Sequence, residues 1–197
     1  MYTIKRLDQL DESYKQQAAS VLIQSFKEDF AIFNKDERSL SLDIADSFRS
    51  EHVYVAISDE EVLGLAAFST KHRYSQVSTL IRSVRAFGFL KGYLFAKAIK
   101  TKPVSIESDQ CYIEDVATSP SHRKKGVAHA IITHLMQHEP YSEFILEVYQ
   151  TNKSAISVYE SLGFETYSMG QDKLWFIKLS ENQRKQYMKR SVRANSL

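Results

Sequence analysis

Asp115-Val116-Ala117-Thr118-Ser119-Pro120-Ser121-His122-Arg123-Lys124-Lys125-Gly126-Val127-Ala128 is the stretch on which the reading of this chain turns. A strand over Gln110–Thr118 runs through a proline-containing turn into a helix over Lys125–His138, where apolar residues recur at helical spacing. The first amides of such a helix have no intrahelical acceptor and sit at the positive end of its dipole, so the turn suits an anion, a pyrophosphate among them. Gly126 and the small Ala128 allow a ligand close to the backbone, and Arg123, Lys124 and Lys125 add positive potential. The turn lacks the Gly-Lys-Ser/Thr ending of a Walker loop and is not Gly-x-Gly-x-x-Gly, which argues against ATP and NAD.

Downstream, a strand over Phe144–Tyr149 leads into Asn152-Lys153-Ser154-Ala155-Ile156-Ser157-Val158-Tyr159-Glu160-Ser161-Leu162-Gly163-Phe164. The spacing predicts a helix over Ser154–Leu162, ended by Gly163, with Phe164 returning to the core. Asn152 and Tyr159 stand two helical turns apart and so face one cleft, although Asn152 also suits a helix cap and Tyr159 also suits packing. Strands follow at Glu165–Met169 and Leu174–Lys178.

Both segments, in this order and at this distance, resemble the GCN5-related N-acetyltransferase (GNAT) family. The first resembles its Arg/Gln-x-x-Gly-x-Gly/Ala signature and the second its Asn-x-x-Ala-x-x-x-Tyr-x-x-x-Gly-Phe segment. The likeness covers roughly residues 50–180. Two departures stand out: Thr118 occupies a position where an aliphatic residue is common, and Ala128 replaces the more usual final glycine. The resemblance implies a single-domain α/β fold with a central mixed, largely antiparallel sheet of about six or seven strands. That sheet would be splayed between two parallel central strands, Gln110–Thr118 and Phe144–Tyr149, and flanked by helices.

The resemblance also implies acetyl-CoA as acetyl donor, a primary amine of a small molecule or peptide as acceptor, and no metal. Backbone groups of Val116, Ala117 and Thr118 would hold the pantetheine and acetyl parts. Arg123, Lys124, Lys125, Gly126, Val127 and Ala128 would hold the pyrophosphate, and Asn152 would help fix the cofactor. Tyr159 would be the general acid, since a phenol is neutral at pH 7 and can protonate a departing thiolate. The attacking amine must lose a proton, and Glu114, in a Tyr112-Ile113-Glu114-Asp115 run that resembles the family's polyamine-type members, is the expected acceptor of it. Simple strand alternation groups Glu114 with Tyr112 and Val116 and sends Asp115 to the other face, with Asp115 the alternative if a bulge shifts the register. Direct attack leaves Cys111 as a buried strand thiol. A non-catalytic acyl-CoA-binding module is the competing reading.

Upstream, Tyr2–Arg6 reads as a strand, and helical patterns follow around Tyr14–Phe26 and Leu40–Phe48. His52–Ile57 and Val62–Ser69, separated by Ser58-Asp59-Glu60-Glu61, read as a hairpin. Residues 77–100 read as a basic amphipathic segment inside a domain spanning 1–180, and 181–197 as a polar, basic, solvated tail. A net charge of +2 forces no nucleic-acid partner, and the single cysteine rules out an intrachain disulfide. The opening residues lack signal-peptide organisation and no run is apolar enough to cross a bilayer, so a cytoplasmic setting is expected. His122, His129, His134 and His138 lack a metal-motif setting and read as surface residues. A homodimer is left open.

Overall fold

The two-residue turn Asp59-Glu60 has both residues in the left-handed region, φ 49° and 62°. That turn geometry matches the right-handed twist of flanking strands and closes the expected hairpin of β2 (Val53–Ser58) and β3 (Glu61–Thr70). In the computed structural model, which describes residues 1–30, 36–76, 105–170, 173–174, 177–178 and 184–192, this hairpin belongs to a seven-stranded sheet. The other members are β1 (Thr3–Arg6), β4 (Gln110–Thr118), β5 (Glu143–Tyr149), β6 (Glu165–Met169) and β9 (Lys185–Ser191), in the order β1-β2-β3-β4-β5-β9-β6. Every neighbouring pair is antiparallel except β4 and β5.

Alternate side chains of β2 go to opposite faces, and each face has its own core. Val53 and Val55 pack with helices α1 (Glu12–Ser25) and α3 (Glu37–Ala45), around Leu22 and Ile44. Tyr54 and Ala56 pack with α4 (Val127–His138) and α5 (Lys153–Ser161), around Ile131, Leu135 and Phe164. A four-residue turn of helix, α2 (Lys27–Phe30), follows α1. Asp36 caps α3 by accepting the Ser39 amide at 2.9 Å. Gln17 on α1 clamps the hairpin, donating to the Glu60 carbonyl at 3.1 Å and accepting the Val62 amide at 2.9 Å.

Two expectations are corrected. The solvated tail is not one: Lys185–Ser191 forms β9, inserted between β5 and β6, so the domain continues past residue 180 to at least Val192. Only Met188 carries a strong apolar signal, and it is fully buried. The lysines that made the run look solvated are matched to carboxylates of β5, Lys185 to Glu147 at 2.5 Å and Lys189 to Glu143 at 2.9 Å. The expected strand Leu174–Lys178 is instead a separate small ladder of β7 (Lys173–Leu174) and β8 (Ile177–Lys178), and β6 pairs with β9. The basic segment 77–100 lies outside the described residues.

Candidate active site

The parallel ladder of β4 and β5 runs from Gln110↔Glu143 to Ile113↔Leu146 and stops there. Beyond it β4 continues against β3, from Val116↔Ala66 to Thr118↔Gly64, and β5 continues against β9, from Glu147↔Tyr187 to Tyr149↔Lys185. The sheet therefore opens as a V in its middle. Residues 114–118 and 147–149 face one another across it, and among the described residues neither arm's inner backbone edge has a ladder partner. Interior backbone donors and acceptors without partners are a cost that a ligand can remove.

A β-bulge sits at the mouth of the V. Phe68 pairs with Ile113 and Ala66 with Val116, so Glu114 and Asp115 together oppose Ala67. The bulge breaks the simple alternation expected of β4: Tyr112 packs with Ile106 and Ile145 on one face, whereas Val116 packs against the core of α4 and α5 on the other. The two acidic side chains engage consecutive residues of the loop after β3. Ser75 Oγ donates to Glu114 Oε2, and Gln76 Nε2 donates to Asp115 Oδ2 at 2.9 Å. That loop is itself held by the Arg49 amide on the Ser75 carbonyl at 2.8 Å and by a bridge between Phe48 and Gln76.

Asp115 lies deep in the fold yet keeps part of its surface accessible, as a group lining a crevice does. Burial, and then the neighbouring charge of Glu114, push its pKa up to about 7 despite the hydrogen bond from Gln76. Tyr159 on α5 is buried, 8% exposed, and burial followed by the charge of Asp115 raises its phenol to about 12. The phenol is thus a firmly neutral donor held within electrostatic reach of Asp115. Gly163 (φ 79°) ends α5 in a Schellman arrangement, with the Phe164 amide on the Tyr159 carbonyl at 3.0 Å and the Gly163 amide on the Glu160 carbonyl at 2.9 Å.

At the outer end of the β4 arm the chain passes through a single 3-10 turn, Pro120–His122, to α4. Lys124 (φ 61°) and Gly126 (φ 77°) are both left-handed, and Gly126 caps the helix, so α4 starts at Val127, two residues later than expected. The first backbone bond into α4 is the Ala130 amide on the Gly126 carbonyl, which leaves the amides of Val127, Ala128 and His129 without helical acceptors. Arg123, Lys124, Lys125 and Gly126 are exposed beside them. The Thr118 carbonyl accepts Ser25 Oγ at 3.2 Å and a long contact from Arg123 Nε at 3.5 Å. Asn152 caps α5, its side-chain oxygen accepting the Ala155 amide at 3.1 Å; its amide nitrogen is not used in the cap.

The fold thus brings Glu114, Asp115, Val116, Ala117 and Thr118 onto one arm of the V, with the 123–128 turn at its outer end and Tyr159 near its mouth. Sequence reasoning missed Ser75, Gln76, Glu147 and Lys185. Glu147 left a trace, as the lone charge in the apolar run Phe144-Ile145-Leu146-Glu147-Val148; Ser75 and Gln76 left none. His134 and His138 stack on each other, ring centroids 3.8 Å apart, at the far end of α4. Among the described residues no group of three His, Cys, Asp or Glu is arranged to hold a metal ion.

A family model described as the acetyltransferase (GNAT) family matches residues 19–164. The chain belongs to the GNAT family. Solved GNAT-type structures superpose on nearly the whole of it. One is a histone acetyltransferase HPA2 and related acetyltransferase from Corynebacterium glutamicum, with TM-score 0.64 and 17% identity, covering 100% of this chain and 99% of that one. Another is the ribosomal-protein-S18-alanine N-acetyltransferase of Escherichia coli, with TM-score 0.57 and 15% identity, covering 100% and 99%. A third is the paia N-acetyltransferase of Thermoplasma acidophilum in complex with coenzyme A, with TM-score 0.54 and 12% identity, covering 98% and 99%. At these identities the likeness is one of fold. No curated protein matches the sequence. Acetyl transfer is the activity that GNAT membership supports, and acetyl-CoA fits the residues present: an open interior backbone edge, a run of free helix-start amides and a basic turn around them. No helix among the described residues is long and apolar enough to cross a membrane.

Proposed function

We propose that the chain is an N-acetyltransferase that passes the acetyl group of acetyl-CoA to a primary amine by direct attack within one ternary complex. Acetyl-CoA supplies the activated acyl group as a thioester. The inner edge of Val116, Ala117 and Thr118 holds its pantetheine and acetyl parts, and the turn from Arg123 to Ala128 holds its pyrophosphate. Asn152 uses its amide nitrogen, which the helix cap does not engage, on the cofactor side.

The bulge carries the base. Of the two carboxylates there, Asp115 is the better proton acceptor, because its pKa of about 7 lies nearer the operating range of a general base than that of an ordinary carboxylate. Glu114, the residue expected from sequence, supports it by raising that pKa through its charge. The acceptor enters as an ammonium ion and gives one proton to Asp115. Its lone pair then forms the C–N bond, the C–S bond breaks, and Tyr159 O–H supplies the proton to the departing sulfur. The second proton lost by the nitrogen restores the phenol, and Asp115 releases its proton to water.

The observation that carries this reading is that a deeply set carboxyl, Asp115, stands where the β4–β5 ladder ends, with its charge acting on the buried phenol of Tyr159. The test follows release of free CoA thiol from acetyl-CoA with a panel of amines, amino acids and peptides. Wild type is compared with Tyr159→Phe, Asp115→Asn and Glu114→Gln. Amine-dependent release that falls by about tenfold or more in Tyr159→Phe and Asp115→Asn is expected, with a smaller loss in Glu114→Gln. Acetyl-CoA binding without release under any condition would point instead to a non-catalytic acyl-CoA-binding module, and a larger loss in Glu114→Gln than in Asp115→Asn would return the base to Glu114.

A further inference from the structure

Met188 of β9 is fully buried in the core shared with α4 and α5, and Arg190, two residues on, leaves the same face of the strand. Its guanidinium reaches the end of α5, where Nη1 donates to the Leu162 carbonyl. A Cβ built on Gly163 would stand 3.8 Å from Arg190 Nε, so the side chain lies along the reversal that Gly163 makes. The last carbonyls of a helix have no intrahelical donors and form the negative end of its dipole, which suits a cationic donor to that place. Leu162 passes the anchor on. Its own amide donates to the Tyr159 carbonyl at 3.1 Å, beside the Phe164 amide at 3.0 Å. Tyr159 stands in the last turn of α5, so the end of this nine-residue helix sets where the phenol stands. The platform beneath Arg190 is fixed on both sides. Arg190 pairs with Phe144 on β5, Lys189 pairs with Glu165 at the start of β6, and the Val192 amide donates to the Ser142 carbonyl at 2.8 Å.

Resting on the acetyltransferase reading above, we infer that Arg190 is a positioning residue for Tyr159, tying the end of α5 to β9 so that the phenol is held where the departing thiolate takes its proton. Arg190 acts through two consecutive hydrogen bonds, its own to the Leu162 carbonyl and that of the Leu162 amide to the Tyr159 carbonyl. The arrangement matters to the reaction because a misplacement of about 1 Å, even one caused away from the reacting atoms, can cost on the order of a hundredfold in rate. A lysine at this position keeps the charge at the helix end and loses the planar fork of the guanidinium, so it replaces the arginine only in part. The strand nearest the end of the described chain thereby has a part in the chemistry, although 28 residues separate Arg190 from the carbonyl it holds.

The experiment uses the full chain as wild type, Arg190→Lys, Arg190→Met, Tyr159→Phe and the double variant Arg190→Met/Tyr159→Phe, with n-butylamine and glycinamide as probe amines at saturating acetyl-CoA. Amide hydrogen exchange at Leu162 and Phe164 is followed in the same proteins, well below their melting transitions. Arg190→Met is expected to lower kcat by about fivefold or more while the Kd for acetyl-CoA stays within about twofold, and Arg190→Lys to lose less. Exchange at Phe164 is expected to quicken by about tenfold in Arg190→Met. The deciding comparison is the double variant, which is expected to turn over no more slowly than Tyr159→Phe alone, because Arg190 acts through a phenol that is already gone. A role in stability alone predicts that Arg190→Met slows both backgrounds by the same factor. That equal loss, an unchanged kcat in Arg190→Met, or unchanged exchange at Phe164 would each overturn the inference. A wild type that fails to bind acetyl-CoA, or binds it and acetylates neither amine, would instead overturn the proposed function, and the inference would fall with it.

Discussion

Phe164 holds Tyr159 at two points: its amide donates to the Tyr159 carbonyl at 3.0 Å, and its ring lies 6.1 Å from the Tyr159 ring at an interplanar angle of 59°. Both contacts depend on Gly163, whose φ of 79° reverses the chain between them. A side chain at that position costs roughly 1–2 kcal/mol in the left-handed region. Gly163→Ala is expected to lower the melting temperature by a few degrees and to reduce kcat more than the KM for acetyl-CoA, because it disturbs the residue that holds the phenol. Thermal unfolding and steady-state kinetics, taken well below the melting transition, check both.

The pH dependence follows from Asp115. If it accepts the amine's proton, kcat should rise with pH through about 7, where its carboxyl ionises, and Asp115→Asn should flatten that limb. Stability runs the other way. The folded-state pKa of about 7 lies above the ordinary 3.8, so between these values the folded chain binds more protons than the unfolded one. Stability is therefore greatest below the unfolded value and falls as pH rises through the folded value. Asp115→Asn should be more resistant to urea than wild type at pH 8, and the difference should shrink towards pH 4. A variant less stable than wild type at pH 8 would mean that the site does not strain this carboxylate.

Gly64 is where β3 lets the β4 arm and α4 come together. A Cβ there would meet the Ala117 carbonyl oxygen at 2.8 Å and Val127 Cγ1 at 2.9 Å. The first contact is backbone, which cannot rotate away, so Gly64→Ala must displace Ala117 on the arm proposed to hold the pantetheine. Acetyl-CoA affinity is expected to fall by about tenfold, equivalent to roughly 1.4 kcal/mol. Calorimetric titration of the variant with acetyl-CoA measures this directly, and an unchanged affinity would separate Gly64 from the cofactor arm.

Met188 tests whether the end of the described chain is structural. It is fully buried, pairs with Leu146 on β5 and Thr166 on β6, and belongs to the main core. Met188→Ala is expected to cost about 2–5 kcal/mol in denaturant unfolding. A solvated tail would lose almost nothing.

The parts legible in sequence are those whose own residues carry the signal. Gln110–Thr118 combines apolar and β-branched residues and ends at a serine-proline turn, and the structure gives the strand the same bounds. Gly163 marks the end of α5 because a left-handed residue was needed there. The bulge at Glu114 and Asp115 was not legible, since it is set by how β4 meets β3 rather than by either residue. For the same reason the faces of Tyr112 and Val116 came out together in the alternation pattern and apart in the fold. The strand β9 was hidden by its lysines, which look solvated until Glu143 and Glu147 are brought opposite. Ser75 and Gln76 reach the acidic pair only through a sequence separation of 39 residues, and nothing in their own neighbourhood announces it.

The insertion of β9 between β5 and β6 also constrains the order of assembly. The outer edge of β5 that β9 occupies is a bare edge until residues 185–191 have been made and have docked, and β6, made earlier, has no native neighbour to join before then. A premature pairing of β6 directly on β5 would be a trap that the chain must undo before β9 can enter. Pairing of β5 with β9 closes a long loop, so the arm of the V that carries Glu147 gains its partner strand only after the turn for the pyrophosphate already has all its residues.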